Sequence, residues 1–163
     1  SRKHQKLATL INRVNEKTLM AAHKRQVADK ATGIDGVTKE IYGQYAEQRI
    51  GRLIGRMKKF SYKPQPVRRT YIPKANGKLR PLGIPAYEDR LVQSVMADVL
   101  NDIYEERFCE CSYGFRPNRS AHDVVRFINE TIMTKKVNWV LEADIKGFFD
   151  NVNHEWMMKF FGT

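Results

Sequence analysis

Residues 71–85 read Tyr71-Ile72-Pro73-Lys74-Ala75-Asn76-Gly77-Lys78-Leu79-Arg80-Pro81-Leu82-Gly83-Ile84-Pro85, and this stretch decides between an all-helical and a mixed fold. Two short extended runs, residues 67–73 and 78–84, flank Asn76-Gly77. That dipeptide is a strong hairpin signal, because the turns open to it need positive φ at the glycine. Pro85 breaks the second run. Everything around the hairpin has helical spacing, so the class predicted is α+β: a mostly helical body with a β-hairpin, then one strand and one helix at the end.

Upstream, the first 60 residues read as helical. Leu7, Leu10, Ile11 and Val14 fall on one face, with Arg2, Lys3, Lys6 and Arg13 among the polar positions. Ala31-Thr32-Gly33-Ile34-Asp35-Gly36 is a loop signal. Thr38 is placed to cap a helix carrying Ile41, Tyr45, Leu53, Ile54 and Met57. Gly51 and Gly55 cost that helix stability unless something packs close to them. Pro64 and Pro66 end the helical region.

Downstream, Glu88 and Asp89 sit where the first turn of a helix favours negative charge. Val92, Val95, Met96, Val99 and Ile103 give that helix a core face. An irregular loop follows over residues 111–118. Ser120 with Asp123 has capping-box spacing, ahead of an apolar face of Val124, Phe127 and Ile128. Residues 137–144 alternate and predict a strand, with Val137, Trp139, Leu141 and Ala143 packed and Asp144 at the end of the open face. Residues 154–161 predict a last helix.

The chain has 163 residues with 42% apolar content, enough for one domain with a core. It carries 29 basic and 18 acidic residues, a net charge of +11. A field of that sign attracts a polyanion, so nucleic acid is the first partner class. No apolar run approaches the ~20 residues of a membrane span. Ser1-Arg2-Lys3-His4 leads into an amphipathic stretch and predicts no signal peptide. Cys109 and Cys111 are too close for an unstrained disulfide, and two thiols alone make no zinc site, so they read as reduced.

Three constellations carry candidate chemistry. Asp144, at a strand end on the unpacked face, suits a hard divalent cation, although such an aspartate also serves as a turn or cap residue. Asp150 fits a cap or turn before the last helix. Lys74, Lys78 and Arg80 cluster on the hairpin, where a stiff ribbon could clamp a triphosphate or simply be solvated. Tyr113-Gly114-Phe115-Arg116-Pro117-Asn118-Arg119-Ser120 interleaves arginines with aromatics, which suits nucleic-acid stacking or a loop whose arginines bind carbonyls.

Together and in this order, these stretches resemble the reverse transcriptase/maturases encoded by group II introns. The hairpin segment resembles the family's first block, with Asp89-Arg90-Leu91-Val92-Gln93 after it. Ser112-Tyr113-Gly114-Phe115-Arg116-Pro117-Asn118-Arg119-Ser120-Ala121-His122 resembles the second, and Ala143-Asp144-Ile145-Lys146-Gly147-Phe148-Phe149-Asp150 the third. Thr32-Gly33-Ile34-Asp35-Gly36-Val37 resembles the family's N-terminal extension.

The resemblance implies roles. Asp144 becomes a catalytic magnesium ligand, with the Ile145 carbonyl beside it. Phe149 becomes the steric gate against a nucleotide 2′-hydroxyl. Lys74 and Arg80 grip the incoming dNTP, while Lys78, Arg68, Arg69, Arg116 and Arg119 contact nucleic acid. Residues 1–136 become the fingers and 137–163 the start of a palm. The partners implied are intron or template RNA, a DNA primer and dNTP, in the bacterial cytoplasm near the nucleoid or in an organelle, with no membrane. The turn carrying the family's remaining metal carboxylates has no match in this sequence, so the chain reads as an inactive N-terminal piece of a polymerase. Its exposed palm strand is expected to favour a homo-oligomer. A stand-alone RNA-binding module is the alternative, as is a CRISPR-linked or defence relative. A two-residue turn would set Lys74 opposite Leu79 and separate it from Arg80. The triphosphate role favours a three-residue turn over 75–77 that sets Lys74 opposite Lys78 and brings Lys74, Lys78 and Arg80 onto one face.

Overall fold

The structure, a computed structural model, describes residues 10–75 and 77–162. Leu7 of the expected N-terminal face and Asn76 of the turn lie outside these residues. Two compact units divide the chain, one spanning Thr9–Arg107 and the other taking in residues 108–163. No described helix is long and apolar enough to cross a membrane.

In the first unit a short 3-10 turn, Leu10–Arg13, precedes helix α1, Glu16–Arg25. The helix starts there because Asn15 and Thr18 form a reciprocal capping box: Asn15 Oδ1 accepts from the Thr18 amide at 3.1 Å, and Thr18 Oγ1 accepts from the Asn15 amide at 3.0 Å. Its far end is closed by Lys39, whose ammonium donates to the carbonyls of Lys24 and Gln26, where the helix dipole favours a cation. Thr38 caps α2, Lys39–Gly43, as expected. The single helix predicted beyond Thr38 is interrupted at Gln44 and Tyr45, and α3 spans Ala46–Lys58. The inward positions are Tyr42, Ala46, Ile50 and Leu53, while Ile41 and Tyr45 stay exposed. Tyr42 takes the buried place because it packs against His23 and Tyr87, with ring centroids 5.6 and 4.7 Å away.

Strands β1, Arg68–Pro73, and β2, Leu79–Ile84, pair antiparallel, within one residue of the predicted bounds. Helix α4, Tyr87–Tyr104, follows directly, with Glu88 and Asp89 in its first turn. Asp89 does more than complement the dipole. It is buried, and accepts from the Tyr62 hydroxyl and from the Gln65 amide at 2.8 Å, so it holds the linker to the hairpin. Helix α1 packs against both α3 and α4, and the core forms where Leu19 and Ala22 meet Ile50, Leu53, Leu91 and Val95. Val99 is also buried on α4, whereas Met96 is partly exposed.

The loop over residues 31–36 is docked on the junction between β2 and α4. A Cβ at Gly33 would lie 2.5 Å from the Pro85 carbonyl oxygen and 2.7 Å from Ala86 Cα, so only glycine fits. Asp35 Oδ2 accepts from the Tyr87 amide at 2.9 Å and supplies the cap that Ala86 cannot. Arg68 Nε donates to the Thr32 carbonyl at 2.8 Å, and Arg90 to that of Ala31 at 2.9 Å.

In the second unit Ser120 and Asp123 form the predicted capping box on α5, Ala121–Thr134. The Ser120 hydroxyl and amide hold the Asp123 carboxyl below its ordinary range. Phe127 and Ile128 on its apolar face remain about half exposed. Helix α6, His154–Gly162, forms where expected. The strand predicted over residues 137–144 is not formed: these residues pair with no ladder, and Trp139 and Leu141, the expected packed face, are both 92% exposed. A strand needs a partner for its amides and carbonyls, and the sheet among the described residues joins β1 to β2 alone.

Gly33→Ala should destabilise the first unit by about 1–3 kcal/mol, since backbone atoms must move to admit the methyl group; a denaturant midpoint unchanged from wild type would remove the close-approach argument. Burial, with help from the Lys39 ammonium, holds the His23 imidazole below its ordinary 6.5 while its Nδ1 lies 2.9 Å from the Tyr87 hydroxyl. The unfolded chain therefore binds the proton first. Stability should be complete above pH 6.5 and decline as pH falls below it. His23→Gln should flatten the slope of thermal midpoint against pH in that window, above the region where carboxylates titrate.

Candidate nucleic-acid interface

The hairpin has the three-residue connection. Ile72 faces Arg80 and Pro73 faces Leu79 in the ladder, and the Lys74 amide donates to the Lys78 carbonyl at 2.7 Å. Gly77 closes the turn at φ +75, with its amide donating to the Lys74 carbonyl at 3.0 Å. Lys74 and Lys78 are therefore opposite one another. Because 74/78 is a hydrogen-bonded pair, 72/80 is also one, while 73/79 and 71/81 are not. Pro73 and Pro81 thus occupy positions whose nitrogens face away from the partner strand, which is why two prolines are tolerated in so short a sheet.

Side chains alternate along each strand, so Lys74, Lys78 and Arg80 share a face. Like charges directly opposite one another destabilise a ladder, and a bound anion relieves that repulsion. By the same parity Arg69 belongs to the other face. Arg68 is on the face of Lys74, but its Nε is engaged by the Thr32 carbonyl.

In the second unit the arginines of the 112–120 loop are turned onto the loop's own backbone. Arg116 Nη1 donates to the carbonyls of Cys109 and Ser112 at 3.0 and 2.9 Å. Arg119 donates to the carbonyl of Glu110. Their guanidinium groups also stack, Arg116 over Phe108 at 5.2 Å and Arg119 over Tyr113 at 5.1 Å. Both arginines brace the loop, and the aromatic residue left wholly exposed is Phe115, at φ +58. Sequence reasoning named it only within the stretch of residues 113–120 and gave it no role of its own. An unburied aromatic side chain on a left-handed backbone offers a flat apolar surface to a base.

Asp144, Ile145 and Phe149 are exposed in the same unit. A tight turn follows Asp144, with Gly147 at φ +63 and the Asn151 side-chain amide donating to the Gly147 carbonyl at 2.8 Å. Asp150 lies in the 3-10 turn Phe149–Asn151, and Asn153 rather than Asp150 caps α6, accepting from the Trp156 amide at 3.0 Å. Asp144 and the Ile145 carbonyl are oxygen donors of the kind magnesium takes. Among the described residues no group of three His, Cys, Asp or Glu side chains is arranged to hold a metal, so these two donors fit part of a magnesium shell and not a whole one.

Comparison with known proteins gives one matching family and several similar proteins. The family described as "Reverse transcriptase (RNA-dependent DNA polymerase)" matches residues 72–162. Protein YkfC of Escherichia coli (strain K12) is 42% identical over 130 residues, 78% of this chain and 34% of its own length. Group II intron-encoded protein LtrA of Lactococcus lactis subsp. cremoris is 39% identical over 134 residues, 82% of this chain and 22% of its own. An uncharacterized 91 kDa protein in the cob intron of Schizosaccharomyces pombe is 36% identical over 126 residues, 77% of this chain and 14% of its own. The chain thus spans about a third or less of the length of these relatives.

Gly77→Val should cost about 1–2 kcal/mol, because a branched side chain is strained at positive φ, and Gly77→Asn should cost less; equal stability of all three proteins in urea would contradict the observed turn.

Proposed function

The chain belongs to the reverse transcriptase (RNA-dependent DNA polymerase) family, in its group II intron reverse transcriptase/maturase branch, and from this premise we propose that it forms the fingers and the start of the palm of an enzyme that copies RNA into DNA. The observation that carries the proposal is the hairpin register, which sets Lys74, Lys78 and Arg80 on one face of a stiff ribbon.

Lys74 and Arg80 hold the triphosphate of the incoming dNTP, the lysine as a point charge and the arginine through its planar fork. Lys78, on the face of Lys74 and Arg80, and Arg69, on the opposite face, contact nucleic-acid phosphates. Arg68 holds the 31–36 loop beside the hairpin, and in the second unit Arg116 and Arg119 brace the loop on which Phe115 gives a base a surface to stack on. Phe149 occludes the space a 2′-hydroxyl would need. Asp144 and the Ile145 carbonyl contribute to holding magnesium, which, when bound, stabilises the charge that develops as a primer 3′-hydroxyl attacks the dNTP α-phosphate. Residues 1–136 belong to the fingers and 137–163 to the palm. Intron RNA serves both as substrate and as binding partner, in the cytoplasm of a bacterium or in an organelle. The exposed Trp139 and Leu141 favour association with a further strand, including that of a second copy.

In a second reading this polypeptide by itself binds RNA and performs no chemistry, since among the described residues no three His, Cys, Asp or Glu side chains are gathered to hold a metal. Primer extension separates the two. The isolated chain should incorporate no dNTP in the presence of magnesium, and magnesium-dependent incorporation would overturn this division of roles. The chain should bind a labelled stem-loop RNA with affinity falling about 50-fold between roughly 50 and 200 mM salt. A flat response would count against phosphate-led binding.

A further inference from the structure

Helix α3 carries a second concentration of positive charge. Arg49, Arg52, Arg56 and Lys59 recur at steps of three and four residues and so form one stripe, while Ala46, Ile50 and Leu53 face the core. The stripe borders a cleft of about 570 Å³, completed by Gly55, Ser61 and Glu88. Arg49 is held over the Tyr42 ring at 5.3 Å, and Arg56 is paired with Glu88 and lies 5.9 Å from the Tyr62 ring centre. Arg52 and Lys59 have no acidic partner among the described residues. Cations therefore outnumber the cleft's one carboxylate.

The glycines add a second observation. A Cβ at Gly51 or Gly55 would meet nothing within 4 Å. Glycine costs stability inside a helix, and no packing accounts for it at these two positions. At Gly55 its effect is to leave the helix backbone approachable from the cleft.

We propose that this cleft takes the sugar–phosphate backbone of structured RNA, at a site separate from the hairpin, and that Glu88 competes with the phosphate for Arg56. The proposal rests on the RNA-binding reading above. A rigid row of cations about 15 Å long matches a linear array of phosphates rather than a single small anion. It does not match a bilayer surface, since an interfacial helix turns its apolar face outward and α3 turns that face into the core. When RNA docks, Arg56 exchanges Glu88 for a phosphate oxygen, and Arg52 and Lys59 gain partners, while the Ser61 hydroxyl keeps its hydrogen bond to the Arg56 carbonyl. Glu88 thus sets a threshold: it orders Arg56 in the free protein and lowers affinity for weakly placed anions.

The test is fluorescence anisotropy of a labelled stem-loop RNA with the purified chain over a salt series. Arg52→Ala combined with Lys59→Ala should reduce the slope of log affinity against log salt by about 2, with affinity about tenfold weaker near 100 mM salt. Both side chains are exposed, and circular dichroism should confirm an unchanged helical content. Glu88→Gln should bind about threefold tighter, an outcome that damage to the fold would not produce. Wild-type affinity and slope in the double variant, or no gain from Glu88→Gln, overturns the proposal. If Arg69→Ala with Lys78→Ala abolishes binding while the α3 variants do not affect it, the cleft is wrong and the RNA reading stands; if the wild-type chain does not bind RNA, both fall. Phosphatidylserine vesicles serve as the second probe, and binding to them in preference to RNA would also overturn the proposal.

Discussion

The first unit depends on the seat of the 31–36 loop at the start of α4. Four contacts converge within a few residues. The Gly33 backbone lies against Pro85 and Ala86, the Asp35 carboxylate accepts from the Tyr87 amide, and Arg68 and Arg90 hold the carbonyls of Thr32 and Ala31. Pro85 is the residue after β2, so whatever fixes this junction also fixes how the hairpin leaves the helical body. Tyr87, capped from outside, then turns inward to meet His23 and Tyr42. Burial pushes the Tyr87 hydroxyl up to about 12 and keeps it a neutral hydrogen-bonding group.

The positive charge of the chain is divided between two kinds of work. One set of cations is spent on the chain's own backbone: Lys39 on the end of α1, Arg68 and Arg90 on the 31–36 loop, Arg116 and Arg119 on the 109–112 segment. These groups replace water around carbonyls that would otherwise be unsatisfied in loops. The other set, Lys74 and Arg80 on the hairpin and Arg52 and Lys59 on α3, faces outward. It is this second set that can exchange counterions for phosphates. Net charge pointed to nucleic acid, yet charge alone does not separate the outward-facing cations from those that brace the chain's own backbone.

The two exposed apolar stretches follow the same logic of partners. Phe127 and Ile128 on α5, and Trp139 and Leu141 beyond it, have the spacing of packed faces but are exposed. Periodicity records which residues favour burial. It does not supply the surface that buries them.

Several features were legible in the sequence because they are local. Asn76-Gly77 between two extended runs marked the hairpin to within a residue, and Ser120 with Asp123 marked the start of α5, since turn chemistry and capping act over two to four residues. The motif order over residues 71–150 likewise marked the family. Other features were decided by the tertiary structure, among them the hairpin register, which the resemblance favoured but the residues left open. Whether Lys74 faced Lys78 or Leu79 depended on a ladder hydrogen bond, whether Asp89 was a dipole partner or a buried anchor depended on where Tyr62 came to lie, and whether residues 137–144 became a strand depended on a neighbour to pair with. In each case the deciding group is distant in sequence or across a turn, and a side chain's own identity cannot specify what will stand opposite it.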